Sequence, residues 1–473
     1  MKIRGCLLAS FGLIAGLTAR ANAQEGFPDG TFGTAGFAVT TFAGAAFAFP
    51  KDTAVLSDGR ILTLSTIRQS LQTAETYAGI ARFTADGDVD ASFSFDGNVL
   101  ADFGGDNLQN SISAMAVQTD GKILVCGGSV YAAGGSHSEF AILRLNGDGT
   151  LDTGFGNSGK AHVAFDDITN TNVARCLAIA LQPDGKIVLA GTAFRSITSQ
   201  NYDFAAVRLD PDGSVDTGFG TNGLRRVHFA FPGSLNDAQA NSVAIDASGG
   251  ILLAGVADHG TGGTRNTDMA IARLDPDGNL DPDFSTDGKG TIAFDRGGTN
   301  DDEAFQVLVQ RDGRIVLVGS AIGNSTADNY DFAVVRLFPD GSPDTSYGPN
   351  GTGRLRVPFD VYANGPDLCY SGVLLSDGKL VLAGLAALAT NHSVFGFARL
   401  RVDGTLDTDF GTGGLIHFGA SALGTNLGIA MHPRLQGGRV VVAIGNYAAP
   451  STNNTKTGLT RLQTDLIFTD SFQ

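Results

Sequence analysis

The sequence contains no tryptophan and only four cysteines, and its 32 lysines and arginines are outnumbered by 48 aspartates and glutamates. The net charge of −16 would repel nucleic acid and anionic lipid, so neither is an expected partner. Glycine, in contrast, is abundant at 65 residues, which points to many tight turns because it follows no short period. A hydrophobic content of 42% is enough for a large core.

Long apolar runs are also scarce, and the one that is present lies at the N-terminus. Lys2 and Arg4 precede an apolar stretch over 6–17, and residues 21–23 read Ala-Asn-Ala, which has the form of a cleavage site. The stretch is shorter than the roughly 20 residues that a membrane-spanning helix needs. We therefore predict that 1–23 is a signal peptide, that the mature protein is periplasmic or extracellular, and that no membrane span remains after cleavage.

Three short patterns recur seven times, with a period of about 63 residues. The first is a tight turn between two strand-like runs, usually Asp-Gly as in Asp184-Gly185, which is a strong hairpin signal. The second is a strand-like run that ends in arginine, and the third is an aromatic residue three positions after an aspartate. The aromatic residues are Phe32, Phe93, Phe155, Phe219, Phe284, Tyr347 and Phe410.

Each repeat contains four strand-like runs, which in the third repeat are about 174–181, 186–193, 203–209 and 160–165. Four antiparallel strands per repeat are typical of a propeller blade, whereas runs this short, broken by glycine, exclude a helical solenoid. We predict an all-β, seven-bladed β-propeller over residues 24–465, followed by a short tail at 466–473. The run before the Asp-Gly turn is rich in small residues, so we place it innermost, where seven strands crowd around the axis.

The two ends of the chain each hold part of a blade. Asp29, Phe32 and a strand near 37–42 have no blade before them, and the chain after 457–462 lacks an outermost strand. We predict that the N-terminal strand completes the last blade, which removes an exposed sheet edge. The tail competes for this place, because Phe472 follows Arg461 at the spacing of the other aromatic residues, although Thr469 stands where an aspartate is expected.

In six of the seven repeats, eight residues separate the arginine from an aspartate, whereas Arg461 has Thr469 at that spacing and its expected partner is Asp29. We predict that each arginine grips its aspartate in a bidentate ion pair that stabilises the turn to the outermost strand. The predicted pairs are Arg82 with Asp90, Arg144 with Asp152, Arg208 with Asp216, Arg273 with Asp281, Arg336 with Asp344, Arg399 with Asp407, and Arg461 with Asp29.

Three cysteines remain after the predicted cleavage: Cys126, Cys176 and Cys369. Cys176 and Cys369 hold the same position on the inner strands of the third and sixth repeats, which are not neighbours, so they cannot approach within disulfide distance. Because buried cysteine often acts as a small apolar residue, we predict that none of the three is paired.

The repeat resembles a known family. The stretches Asp184-Gly-Lys-Ile-Val-Leu-Ala-Gly191 and Arg208-Leu-Asp-Pro-Asp-Gly-Ser-Val-Asp-Thr-Gly-Phe-Gly220 are similar to the delta-60 repeats of secreted bacterial proteins. The resemblance covers about residues 25–465 and implies a repeated β architecture. It implies no activity, because that family is defined by its repeat.

Acidic and amide side chains precede the innermost strand of each repeat, in loops expected to surround one mouth of the central channel. Convergent oxygens there would bind a cation such as Ca²⁺ or a polar ligand, whereas the alternative is that they cap their own turns. Asp210–Asp216 and Asp275–Asp281 are weaker Ca²⁺ candidates. The candidate mouth residues are Asn110, Asn172, Asp237, Asp302, Glu303, Asp367 and Asn426, with Asp52 in the first repeat.

No catalytic constellation is recognisable. Gly-x-Ser-x-Gly is absent, and the lack of tryptophan removes the docking tryptophans of quinoprotein propellers and the Asp-box tryptophan of sialidases. Our leading interpretation is a monomeric binding or scaffold protein of the cell envelope or exterior, whose ligand is a protein, a glycan or a small molecule. The alternative is a metal-dependent lactonase or lyase that uses the oxygens at the channel mouth.

Overall fold

The computed structural model describes residues 25–463 except for 73–74, 105–109, 132–136, 166–172, 197–200, 233, 235–236, 262–264, 295–300, 323–328, 363–364, 390–391, 420–427 and 447–455. The predicted signal peptide and the tail 466–473 therefore lie outside the described residues. Within them, no helix is long and apolar enough to cross a membrane. The strands, in chain order, are β1 Phe37–Thr41, β2 Phe47–Val55, β3 Ile61–Arg68, β4 Tyr77–Phe83, β5 Asn98–Ala101, β6 Ser111–Val117, β7 Ile123–Tyr131, β8 His137–Leu145, β9 Lys160–Val163, β10 Ala174–Leu181, β11 Ile187–Ser196, β12 Asn201–Leu209, β13 Leu224–Val227, β14 Ala238–Ile245, β15 Ile251–Asp258, β16 Thr267–Leu274, β17 Lys289–Ile292, β18 Asp302–Val309, β19 Ile315–Ile322, β20 Tyr330–Leu337, β21 Arg354–Val357, β22 Leu368–Leu374, β23 Leu380–Ala389, β24 His392–Leu400, β25 Leu415–Phe418, β26 Gly428–Gln436, β27 Arg439–Asn446 and β28 Lys456–Leu462.

These strands form seven antiparallel sheets of four, which confirms the predicted seven-bladed β-propeller. Blades 1 to 6 each use four consecutive strands, beginning with β2, β6, β10, β14, β18 and β22. The first strand of each blade contacts the first strand of the next around the ring, so it is the innermost strand.

Blade 7 is built from both ends of the described chain, in the order β1, β28, β27, β26. β1 pairs with β28 from Phe37 opposite Thr460 to Thr41 opposite Lys456. The segment before β1 continues the contact, since the amide of Asp29 donates to the carbonyl of Arg461 at 2.6 Å. The N-terminal strand thus forms the outer edge of the seventh blade.

The apolar core lies between adjacent blades. The second and third strands are buried on both faces, as shown by β15, in which every residue is buried. Six of the recurring aromatic residues are completely buried, and Tyr347 is 3% exposed. Burial of the seven rings between blades accounts for their recurrence in the sequence.

A bulge interrupts the innermost strands of blades 1 to 6 at the same place, for example between Cys176 and Ala178 in β10. In blade 7 the irregularity lies further along the strand, between Met431 and Arg434. The bulge brings the backbone of the innermost strand against the second strand, where Gly191 stands opposite Cys176. A Cβ at Gly191 would overlap the carbonyl oxygen of Arg175. The glycine that ends the apolar run after the turn is therefore required by the bulge.

The prediction that no cysteines pair is wrong. Cys126 on β7 of blade 2 and Cys176 on β10 of blade 3 form a disulfide, with their Cα atoms 6.0 Å apart. The prediction compared equivalent positions on innermost strands, but the bond joins the second strand of one blade to the innermost strand of the next. Cys369 is a buried free thiol.

Candidate functional site

All seven predicted arginine–aspartate pairs form in the structure. In each, the arginine Nε lies 2.6–2.9 Å from one carboxylate oxygen. The contact is not bidentate as predicted. In six of the seven pairs the second carboxylate oxygen accepts the backbone amide two residues further on, as Asp152 does from Gly154 at 3.1 Å, so that the aspartate caps its own turn and neutralises an arginine at the same time. The exception is Asp407, whose second oxygen is buried without a hydrogen-bond partner among the described residues.

The same arginines connect neighbouring blades. The NH1 group of Arg144 donates to the carbonyl of Pro211 in the next blade at 2.6 Å, and its guanidinium lies 4.5 Å from the centroid of Phe155. Equivalent ring contacts of 4.2–4.9 Å occur in all seven repeats. These residues therefore connect neighbouring blades of the frame.

Several of the residues predicted to line the channel mouth instead accept hydrogen bonds from the backbone amides of nearby residues. Asp302 accepts the amide of Phe294 at 2.5 Å, and Asp367 accepts the amides of Phe359 at 2.9 Å and Ala387 at 3.1 Å. Burial raises the pKa of Asp367 to about 6, although these amides oppose the shift.

Asn110 is also buried, and its side-chain amide donates to the carbonyl of Thr76 at 3.2 Å. Asp52 does not belong to a loop at all but lies within β2, and Asn172 and Asn426 lie outside the described residues.

Two predicted residues, Asp237 and Glu303, line a cavity of about 370 Å³ where the innermost strands of blades 3, 4 and 5 begin. Its lining also includes two arginines, a further carboxylate and a tyrosine, so donors and acceptors are mixed. The remaining lining residues are Arg175, Thr192, Tyr202, Ala238, Gln239, Val256, Asp258, Arg265 and Thr267. We call this cavity the mouth pocket.

Three side chains of the mouth pocket occupy one position of the repeat. Arg175, Gln239 and Glu303 each lie ten residues before the glycine of the inner hairpin turn, on β10, β14 and β18. Adjacent innermost strands therefore present a cation, an amide and a carboxyl in a row. Sequence reasoning missed Arg175 and Gln239 because it searched the loops and not the strands.

The bulge contributes a second row. Asn241, the bulged residue of β14, accepts from Gln239 Nε2 at 2.6 Å and donates to Glu303 Oε1 at 3.2 Å. Its counterparts in blades 5 and 6, Phe305 and Tyr370, have ring centroids 5.4 Å apart. The channel wall is therefore polar across blades 3 to 5 and aromatic across blades 5 and 6.

Electrostatics distinguish the carboxyls of the mouth pocket from those of the frame. Burial raises the pKa of Glu303, and burial followed by the nearby charge of Asp258 raises that of Asp237. Among the frame aspartates, burial raises the pKa, but hydrogen bonds and the charge of a nearby arginine outweigh it. The pKa of Asp90 is lowered in this way to about 2. Glu303 and Asp237 are thus better able than the frame carboxyls to act as hydrogen-bond donors after protonation.

The candidate cation sites have other roles in the described part of the chain. Asp212 accepts the amide of Ser214 at 2.9 Å, and Asp275 accepts the amides of Asp277 at 3.0 Å and Asn279 at 2.8 Å, so both cap their turns. Among the described residues, no three His, Cys, Asp or Glu side chains are grouped so that they could hold a metal ion.

Six segments of the chain match the model of a family described as "Domain of unknown function (DUF5122) beta-propeller": residues 56–93, 118–155, 182–219, 247–284, 310–347 and 375–410. Each segment runs from the inner hairpin turn to the recurring aromatic residue. A comparison with curated proteins gives no match.

Solved structures with similar architecture are distant in sequence. A protein of unknown function from Dyadobacter fermentans is 12% identical, with 80% of this chain and 94% of that chain covered and a TM-score of 0.41. The polysaccharide lyase Uly1 is 11% identical, with 88% of this chain and 90% of that chain covered and a TM-score of 0.46. The α-L-arabinofuranosidase Arb93A from Fusarium graminearum is 13% identical, with 80% of this chain and 97% of that chain covered and a TM-score of 0.43. At these identities and TM-scores, the similarity carries no argument about the activity of this chain.

Proposed function

We propose that this chain, six segments of which match the model of a β-propeller repeat family, is an exported binding protein for a neutral glycan seated in the mouth pocket. In such a frame, function depends on the residues that the frame carries. The observation that supports this most directly is the row Arg175, Gln239 and Glu303, presented by three adjacent innermost strands. The frame itself is occupied by the arginine–aspartate pairs, so ligand recognition falls to these channel-facing positions.

The chemistry of the mouth pocket suits hydroxyl groups. Arginine and amide nitrogens donate, carboxylates accept, and the raised pKa of Glu303 allows it to do either. The volume of about 370 Å³ falls within the range of small-ligand pockets, about 300–1,000 Å³. Tyr202 provides a ring at the edge of the pocket, where it meets Phe194 with ring centroids 5.2 Å apart.

Export is supported by two independent features. One is the N-terminal pattern with its resemblance to repeats of secreted bacterial proteins, and the other is the Cys126–Cys176 disulfide, since disulfides persist mainly in oxidising compartments. We therefore propose that the protein acts in the periplasm or outside the cell.

Binding is tested with purified mature protein on an array of neutral oligosaccharides, followed by calorimetric titration of any hit. We expect Gln239→Ala and Glu303→Gln each to weaken binding by about tenfold, the effect of losing one good hydrogen bond to ligand. The matched control is Asp287→Asn, which neutralises an exposed acid away from the mouth pocket. Failure of every neutral sugar to bind, or equal binding by all variants, would refute the proposal.

The alternative, a metal-dependent lactonase or lyase, requires a bound cation. Metal analysis of the purified protein and a lactone hydrolysis screen separate the two functions. A stoichiometric metal with lactone turnover would favour the enzyme, and a metal-free protein without turnover would favour the binding role.

A further inference from the structure

The outer turn of each blade lies between its third strand and its outermost strand. In blade 1 the amide of Gly87 donates to the carbonyl of Thr84 at 3.1 Å in this turn. In blade 7 the amide of Gly26 donates to the carbonyl of Gln463 at 2.6 Å, and Gly26 has a φ of 91°, against 92° for Gly87. Residues 25–29 therefore complete an outer turn that Gln463 begins.

Glu25 fixes this segment against blade 6. Its carbonyl accepts the amide of Gly411 at 3.2 Å, and its carboxylate contacts the Nη2 group of Arg399. The chain after Gln463 is thus excluded from the outer turn. Because neighbouring strands are antiparallel, the third and the innermost strands both end on the face opposite the mouth pocket, so residues 464–473 continue from that face.

A cavity of about 360 Å³ opens on the same face. It lies between the inner hairpin turns of blades 5 and 6, the outer turn of blade 6 and the end of β26 in blade 7. We call it the lower groove. Its aliphatic lining consists of Val309, Leu374, Leu375, Val402 and Leu435.

The lower groove has an apolar surface that the ring does not cover. Val402 is 52% exposed, at a position where blades 1 to 5 have alanine, glycine or proline. The side-chain oxygen of Gln310, which also lines the groove, is buried without a hydrogen-bond partner among the described residues. An apolar segment with a free backbone amide would cover the valine and satisfy this acceptor.

The charges of the lower groove favour an acidic occupant. The two acids of its lining already have cationic partners, since Asp312 contacts Arg314 and Asp377 lies close to a lysine. The distance from Asp377 to Lys379 is 3.7 Å. Arg311, in contrast, forms no ion pair with any residue that the structure describes.

We propose that residues 464–473 dock in the lower groove of their own chain. The segment reads Thr-Asp-Leu-Ile-Phe-Thr-Asp-Ser-Phe-Gln. Its apolar run at 466–468 packs against the aliphatic lining, and Asp470 pairs with Arg311. Since the inner hairpin turns surround this end of the central channel, the docked segment covers part of the channel end opposite the mouth pocket.

The segment is long enough to reach the lower groove. Arg461 donates through Nη1 to the side-chain oxygen of Gln436 at 3.0 Å. Gln436 directly follows Leu435, which lines the groove. An extended chain covers about 3.3–3.6 Å per residue, so the run 466–468 lies within roughly 10–18 Å of Gln463. The apolar run can therefore extend from the outer turn of blade 7 to Leu435.

Docking is tested in the protein spanning residues 24–473, with Phe468 replaced by the photoreactive residue benzoylphenylalanine. We expect irradiation to link residue 468 to the lining of the lower groove within the same chain, as mapped by mass spectrometry of the peptides. Cross-links elsewhere on the ring, cross-links between two chains, or the absence of any cross-link to the lower groove would each overturn the proposal.

The chemistry of docking is tested with Val402→Ser and Arg311→Gln in the same photoreactive protein. Each should reduce the yield of groove cross-links by about threefold, the effect expected of a single exposed contact, because one removes apolar surface and the other removes the partner of Asp470. The matched control is Val89→Ser, which replaces a valine 38% exposed in the outer turn of blade 1 and should leave the yield unchanged. Equal yields from all three variants would contradict docking by this chemistry. The test uses no glycan, so its failure leaves the proposed function in place.

Discussion

The pair at the junction of the two chain ends gives a quantitative test of how the ring is held. Asp29 is 2% exposed, and one of its oxygens accepts Arg461 Nε at 2.9 Å and Arg439 NH1 at 2.8 Å. Its other oxygen accepts the amide and hydroxyl of Thr31. Burial alone would raise the pKa of Asp29, but the hydrogen bonds from Thr31 and the charges of Arg461 and Arg439 lower it.

The substitution Asp29→Asn should cost about 3 kcal/mol of unfolding free energy. The new amide can still accept from Thr31, but it turns a donor toward Arg461 and leaves that buried guanidinium without a counter-charge. Breaking a buried ion pair costs about 3–5 kcal/mol. We take the lower end because Arg461 keeps hydrogen bonds to Ala85 and Gln436.

The matched variant is Asp281→Asn, which breaks the most exposed of the seven pairs. The side chains of Arg273 and Asp281 are 16% and 23% exposed, so water can solvate the remaining arginine. Its cost should be about 1 kcal/mol, as for pairs near the surface. Equal losses for the two variants, or a greater loss for Asp281→Asn, would refute the reasoning that the buried junction holds the ring. Urea unfolding is followed by far-UV circular dichroism, because the chain has no tryptophan to report by fluorescence.

Three further predictions concern other parts of the frame. Gly191→Ala should destabilise the protein by about 1–3 kcal/mol in urea unfolding, because a Cβ would strike the bulged strand, whereas Gly30→Ala, with open space around it, should be neutral. Replacing Cys126 and Cys176 by alanine should lower the free energy of unfolding by up to about 4 kcal/mol, because the disulfide closes a loop with sequence separation 50 and so restricts the unfolded chain. In the unaltered mature protein, a thiol titration after denaturation without reductant should find one free thiol and not three. Asp367 has a pKa raised to about 6, so the folded state binds its proton more tightly than the unfolded chain and gains stability as pH falls from above 6 toward 4. Relative to Asp367→Asn, the unaltered protein should therefore gain up to about 3 kcal/mol over this range in urea unfolding, and a constant difference would contradict the assignment.

The repeat allowed the number of blades, the arginine–aspartate pairs and the place of β1 to be predicted from the sequence. The hairpin turns, the arginines and the aromatic residues each occur seven times because each has one position in every blade. The spacing of eight residues between Arg144 and Asp152 gave the pairing directly, since both residues flank one turn. The absence of an outer strand after Arg461 indicated where β1 belongs.

The candidate site was harder to predict because it depends on distances between blades. Asp237 and Glu303 were found by their place before the innermost strand, but the same search selected Asp302 and Asp367, whose carboxylates bind backbone amides. Asn241 was missed because the bulge shifts the alternation of side chains along the innermost strand by one residue. One signal was present: the bulged position varies widely between blades, from Asn241 to Phe305 and Tyr370.

The disulfide was also missed because it depends on how one blade packs against the next. Cys126 and Cys176 occupy different strands of consecutive repeats, and their proximity follows from the angle between blades, which no pattern within one repeat contains.

The bulged residues differ between blades whereas the frame contacts repeat, so repeats are in principle exchangeable within the ring. Because the recurring arginine donates to a backbone carbonyl of the next blade in six of the seven blades, a repeat copied among those places in the gene would meet compatible neighbours on both sides. Each transplanted repeat would bring its own bulged residue to the channel and leave the frame unaltered. Recombination among seven repeats could thus rewrite ligand specificity one blade at a time, without passing through a destabilised intermediate.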